Sequence, residues 1–284
     1  MNSIRIEKVT SRDDRKKFIF FPWKVYKNNP NWVPPLVMDF KEKINMEKNP
    51  FFEHAEMELF LAYRDAGITG RIAAIVDNNH NSFHDEKVVF FGLYESFDDK
   101  DTAKTLLDTV EKWGKEKGME ILRGPMNISM NDECAFLLEG FDSPPVIMMP
   151  YNPEYYLGLM AEGGLVKAKD LYAFYMSREA TVVAWIGRIV AKTKAEIPFT
   201  LRTIDMKNLK KEAASIKYVY NNAWEKNWGF GRWVLVSSKS SGTRVSVTCF
   251  IQNSIKIPEQ RVMSGAKLPG NWKIMNLSID SLNH

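Results

Sequence analysis

Cysteine is nearly absent from this 284-residue chain: Cys134 and Cys249 are the only two. That is too few for a disulfide framework or a thiolate zinc cluster. Long apolar runs are also missing, and none approaches the roughly 18–20 residues that span a bilayer. The opening MNSIRIEKVTSRDDRKK has no apolar core of a secretory leader. A reduced, cytoplasmic setting without membrane partners is therefore the expectation. Charge of one sign is scarce too. Residues 1–230 carry 32 Lys and Arg against 33 Asp and Glu, which leaves no electrostatic footprint for nucleic acid. No nucleophile elbow, P-loop, dinucleotide fingerprint or HExxH pair occurs.

What is present is the patterning of a mixed α/β protein. Ile4 to Val9 alternates like a strand, and Ser11 is placed to cap a helix through RDDRKK. Pro22 starts a second short helix, and NNPNWVPP is an extended connection. Met57–Arg64 and Thr69–Val76 flank Asp65-Ala66-Gly67 and predict a hairpin, followed by a strand over Val88–Glu95. Ala103, Leu106, Leu107, Val110 and Trp113 recur at helical spacing between Asp101 as cap and Gly118 as terminator. A short strand over Met119–Arg123 comes next. Asn131 or Asp132 is read as capping a brief helix to Gly140, and Asn152 as capping a helix that opens with Pro153. Leu165–Met176 reads as a long strand. A sheet with helices on its faces is the expected packing.

Beyond Arg178 the opening pattern returns. Phe199–Asp205 reads as a strand and KNLKKEAASIKYVYNNAWEKNW as a helix. Tyr220-Asn221-Asn222 and Asn227-Trp228 echo Tyr26-Lys27-Asn28-Asn29 and Asn31-Trp32. The expectation is a first domain over residues 1–178 and the beginning of a second, similar module over 179–230. Residues 231–284 differ in composition, with 7 basic against 2 acidic residues and 9 serines. Two readings of that stretch stand: a β-rich ending, or a sequence that is not the natural continuation.

Several local sequences carry a resemblance. GRIAAIVD (Gly70–Asp77), FFGLYE (Phe90–Glu95) with the helix after it, and NPEYYLGLMAEGGLVKAKDLYAFYM (Asn152–Met176) resemble the third strand, the fourth strand with its cofactor-binding helix, and the late helix and strand of the GNAT (N-acetyltransferase) superfamily. RGPMNISMNDE and NNAWEKNWGF resemble a narrower bacterial GNAT-like group. The resemblance covers about residues 1–230. It implies a GNAT-like mixed sheet flanked by helices, and transfer of an acyl group from acyl-CoA to an amine of a small-molecule substrate. It also implies cofactor contacts from Phe91, Gly92, Leu93, Lys100 and Thr102. A tyrosine of the late helix, Tyr156 or Tyr155, would protonate the leaving group. Apart from the resemblance, Glu95 at the end of the fourth strand could be a general base for an amine; the plainer reading is a strand-end carboxylate facing solvent. The family's Gly-rich pyrophosphate loop is missing, however. Ser96-Phe97-Asp98-Asp99-Lys100-Asp101 puts three carboxylates where phosphates would bind, which counts against acyl-CoA. The alternative is a GNAT-fold ligand-binding or interaction protein without transfer activity.

The loop Arg123–Asp132 follows a strand, where the sites of sheet proteins gather. Asn127, Ser129 and Asn131 could bind a polar ligand, and Arg123 could pair a carboxylate or phosphate. The plainer reading is a turn that satisfies its own backbone. His80 and His84 in DNNHNSFHDE are read as loop residues, because the stretch is too rich in asparagine for a helix. No metal site is expected.

Overall fold

The computed structural model describes residues 3–173, 184–197, 202–231 and 272–280. β1 (Arg5–Lys8) leads into α1 (Arg12–Phe20). The Ser11 hydroxyl accepts from the Asp14 amide at 3.0 Å, and the Asp14 carboxylate accepts from the Ser11 amide at 3.3 Å. The Ser11 cap is the one the sequence predicts, and the return bond from Asp14 closes it into a capping box. α2 (Pro22–Val25) begins at its proline, and α3 (Val37–Lys43) follows the extended connection.

β2 (Ala55–Arg64) and β3 (Gly67–Asp77) form the hairpin, pairing from Ala55↔Asp77 to Arg64↔Gly67. α4 (Asn78–His84) precedes β4 (Val88–Ser96), which lies antiparallel to β3. α5 (Lys100–Glu116) then carries the chain over to β5 (Ile121–Gly124), parallel to β4. All five residues of the predicted helical stripe, Ala103 to Trp113, are buried. β6 (Phe136–Glu139), α6 (Tyr155–Glu162) and β7 (Val166–Ala173) complete this part. α7 (Ala184–Glu196) and α8 (Leu209–Ala223) come next, and β8 (Trp272–Asp280) follows them. The sheet runs β1-β2-β3-β4-β5-β8-β6, with β7 on the other edge of β8. β8 thus lies inside the sheet of the N-terminal part, although it belongs to the compositionally distinct stretch.

Each sheet face buries its own cluster. Ile72, Ala74, Val89 and Phe91 pack with Leu106, Val110 and Tyr156 from α5 and α6. Leu61, Ala73, Ile75 and Phe90 pack with Phe18 and Ile19 of α1. Burying a side chain of this size is worth about 1.5–3 kcal/mol. No described helix is long and apolar enough to cross a membrane.

Three local expectations are corrected. Asn78–His84 is helical because Asp77 accepts from the Asn79 and His80 amides at 3.0 and 3.1 Å, and Asp85, at φ +53°, ends the turn. That cap outweighs the low helix propensity of the asparagines. Asn131 and Asp132 start no helix. Asp132 is drawn back to the Ser129 hydroxyl at 2.6 Å, and Phe136–Glu139 pairs with β8 instead. Asn152 caps no helix either, since its side-chain oxygen accepts from the Leu137 amide at 2.6 Å. In the stretch expected to open a second module, α8 falls within the predicted helix. Arg202–Asp205 is irregular rather than extended in a strand, and the first residues of that predicted strand, 199–201, lie outside the described residues.

Candidate active site

At the end of β4 the strand pairing carries a bulge. Ala73 opposes Gly92, yet two residues earlier Arg71 opposes Glu95 rather than Tyr94. The extra residue is Leu93, at φ +49°. This shift sets Glu95 facing Arg71.

The Glu95 side chain keeps only 14% of its surface. The Tyr156 hydroxyl donates to its Oε2 at 2.7 Å, and the same phenol oxygen accepts from the Ser96 amide at 2.9 Å. Arg71 Nη2 lies 3.7 Å from Glu95 Oε1. From α6, Tyr155 donates to the Ser96 carbonyl at 2.8 Å, and Tyr94 shares a 2.6 Å bond with the Ser96 hydroxyl. Tyr26 at the end of α2 also faces Glu95. Its hydroxyl donates to the Tyr151 carbonyl at 3.2 Å, while its ring stacks on Trp32 at 4.7 Å.

Burial decides the ionisation of this cluster. It pushes the Glu95 carboxyl upward, against the opposing pull of Arg71 and the hydroxyls of Tyr156 and Tyr26. Burial, and then the Glu95 charge, lift Tyr156 well above the usual phenol range. The site therefore pairs a carboxylate that takes up protons readily with a phenol that stays protonated.

The cofactor residues implied by the resemblance are differently engaged. The Phe91 side chain is fully buried in the core. A Cβ on Gly92 would stand 1.8 Å from the Met126 carbonyl oxygen, so the 125–127 backbone presses directly on this strand. The Leu93 amide donates to Asn127 Oδ1 at 2.8 Å. Lys100 pairs with Glu162 at 2.6 Å, and Thr102 is buried, donating to Asp99 at 2.5 Å and accepting from the Thr69 hydroxyl at 3.0 Å. Asp99 and Asp101 both pair with Arg64. With its one lysine paired and no glycine, the 96–101 turn does not fit the pyrophosphate of an acyl-CoA.

The polar loop is also engaged internally. Arg123 holds Glu86 through two bonds of 2.8 and 3.2 Å. Asn127 serves Leu93, Ser129 holds Asp132, and Asn131 Oδ1 accepts from Tyr220 of α8 at 3.2 Å. The His80 and His84 rings on α4 lie 4.4 Å apart, tilted by 41°. His80 Nε2 lies 3.3 Å from Glu86, and His84 Nε2 lies 2.8 Å from the Phe230 carbonyl. No group of three or more His, Cys, Asp or Glu among the described residues is arranged to hold a metal. Three members of the cluster are not singled out by the sequence: Arg71, inside an otherwise apolar strand, Tyr94 and Tyr26. The lone cation in GRIAAIVD was the available signal for the first.

No family model matches the chain. It is 31% identical over 221 residues to Protein YghO of Escherichia coli, covering 78% of this chain and 56% of that one. It is 34% identical over 216 residues to a bacterial ceramide synthase of Caulobacter vibrioides, covering 76% and 56%. The matches thus span little more than half the length of these relatives. Among solved structures, a tandem GNAT protein from the clavulanic acid biosynthesis pathway superposes with a TM-score of 0.42 at 7% identity, covering 60% of this chain and 46% of that one. GRIAAIVD falls in β3, FFGLYE in β4 ahead of α5, and Asn152–Met176 supplies α6 and β7. β4 and β5 are parallel inside an otherwise antiparallel sheet flanked by helices, the mixed arrangement that the resemblance to the GNAT superfamily implies.

Proposed function

We propose that this protein is an acyltransferase that moves an activated acyl group onto an amine. The observation that carries the reading is the 2.7 Å bond between the Tyr156 hydroxyl and the Glu95 carboxylate at the end of β4. An amine attacking an acyl carbon must lose a proton, and the departing group must gain one. Glu95, with its proton affinity raised by burial, accepts the first. Tyr156, kept protonated, donates the second. Glu95 then returns its proton along the same hydrogen bond, which restores both groups. The fold and the ceramide synthase relative support acyl transfer as the reaction class.

A second reading has its own observation. The 125–127 backbone is pressed against Gly92, and Asn127 holds the Leu93 amide, as in a protein that binds without transfer. Incubation with acetyl-CoA or palmitoyl-CoA and amines ranging from amino acids to long-chain amino alcohols separates the two. Amide product by mass spectrometry, lost in Glu95→Gln, supports the transferase. Neither product nor calorimetric binding of either thioester would move the assignment to the non-catalytic reading.

A further inference from the structure

Arg71 is 4% exposed, which is unusual for a guanidinium. Nη1 donates to the Phe18 carbonyl at 2.7 Å, and the cation lies over the rings of Phe18 and Phe40 at 4.8 and 5.3 Å. Nε has no partner. A neutral donor would serve the Phe18 carbonyl equally well, so that bond does not account for a buried charge. The carboxylate facing this charge is Glu95, brought opposite by the bulge at Leu93. Without the extra residue the register would set Tyr94 against Arg71, and Glu95 would fall on the other face.

We propose that Arg71 is a positioning residue for Glu95: with the bulge, it draws the carboxylate into the end of β4 and holds it against the Tyr156 hydroxyl. The role of Glu95 in turnover rests on the acyl-transfer reading, whereas the coupling of the two side chains does not. The ionisable groups facing Glu95 are Arg71 from β3, Tyr156 and Tyr155 from α6, Tyr26 from the end of α2, and Tyr94 on its own strand. Among the described residues Arg71 is the cation that pairs with Glu95. Its removal leaves phenols alone around the carboxyl, and the proton is then held to higher pH.

The test is a carbon-detected NMR titration of protein carrying ¹³C-carboxyl glutamate, with the Glu95 signal assigned by its loss in Glu95→Gln. In Arg71→Met the Glu95 midpoint moves up by about one pH unit or more, and Arg71→Lys brings it back to about half a unit above wild type. If Arg71→Met does not fold, Arg71→Lys carries the test. An ammonium lacks the second arm of the guanidinium, so the midpoint rises by about half a unit against wild type. A midpoint within error of wild type in the folded variant would overturn the proposal. The titration needs no substrate. A shifted midpoint in a protein that forms no amide therefore refutes the transferase reading while the Arg71–Glu95 coupling stands.

Discussion

The end of β4 and the loop from Arg123 to Asp132 are both rich in polar groups, yet they spend them differently. In the loop each predicted ligand-binding side chain meets a partner that belongs to the fold: Glu86 for Arg123, the Leu93 amide for Asn127, Asp132 for Ser129 and Tyr220 for Asn131. At the end of β4 the partners are ionisable groups held out of water, Arg71, Glu95 and Tyr156, and their proton affinities shift. Hydrogen-bonding capacity alone does not mark a site. A site is better marked by a cluster of groups whose protonation equilibria are displaced by burial and by one another.

The largest expected difference between the two regions is in turnover. Glu95→Gln or Tyr156→Phe lowers amide formation about 10²–10⁴-fold, the usual contribution of a positioned acid or base. Asn131→Ala stays within a few-fold of wild type. Initial rates at saturating donor decide between them, and equal losses in both regions would erase the contrast.

The next effect belongs to the loop's own support. His80, buried beneath Arg123 and Glu86, is held down to about 4 by burial, with His84 adding to the effect. The unfolded chain therefore binds a proton near pH 6.5 that the folded chain refuses until about pH 4. Stability is lost as pH falls through that window, by up to about 3 kcal/mol. Urea midpoints at pH 7, 5.5 and 4.5 should drop less steeply in His80→Gln than in wild type. Parallel slopes would show that His80 is not the proton acceptor.

The elements of the fold were largely legible because apolar spacing records burial. The hairpin, β4, the α5 stripe and the Ser11 cap all follow from residues close together in sequence. Tyr156 follows from the resemblance and Glu95 from its place at the end of a strand, where the plainer reading has it facing solvent. The single Gly92 in this strand is a sign of a bulge or a close backbone approach, and both occur, but it does not tell which side chain the bulge turns inward. Arg71 was hidden for a similar reason: its partners are 24 and 53 residues away along the chain. The helix at Asn78 was missed because composition was weighed above one capping aspartate. Polar density drew attention to the 123–132 loop, where polarity serves the turn itself.

A Cβ at Gly92 tests how firmly the two regions are joined. It would meet the Met126 carbonyl oxygen at 1.8 Å and the Met126 carbonyl carbon at 2.7 Å, both backbone atoms that no rotamer change can move aside. Gly92→Ala must push the loop away from β4 and costs about 1–3 kcal/mol. A drop in the urea midpoint with an unchanged slope would locate that strain in the folded state.

The smallest change asks what the loop itself contributes. In Asn127→Ala the Leu93 amide loses its 2.8 Å acceptor while the backbone contact at Gly92 remains. One neutral hydrogen bond is worth about 1 kcal/mol net, and more if the amide is left without water. The loss should therefore be smaller than for Gly92→Ala, and amide exchange at Leu93 should speed up while exchange at Ser96, held by Tyr156, stays slow. Equal acceleration at both amides would mean that the loop and the acid–base cluster open together, so that the two regions form one cooperative unit.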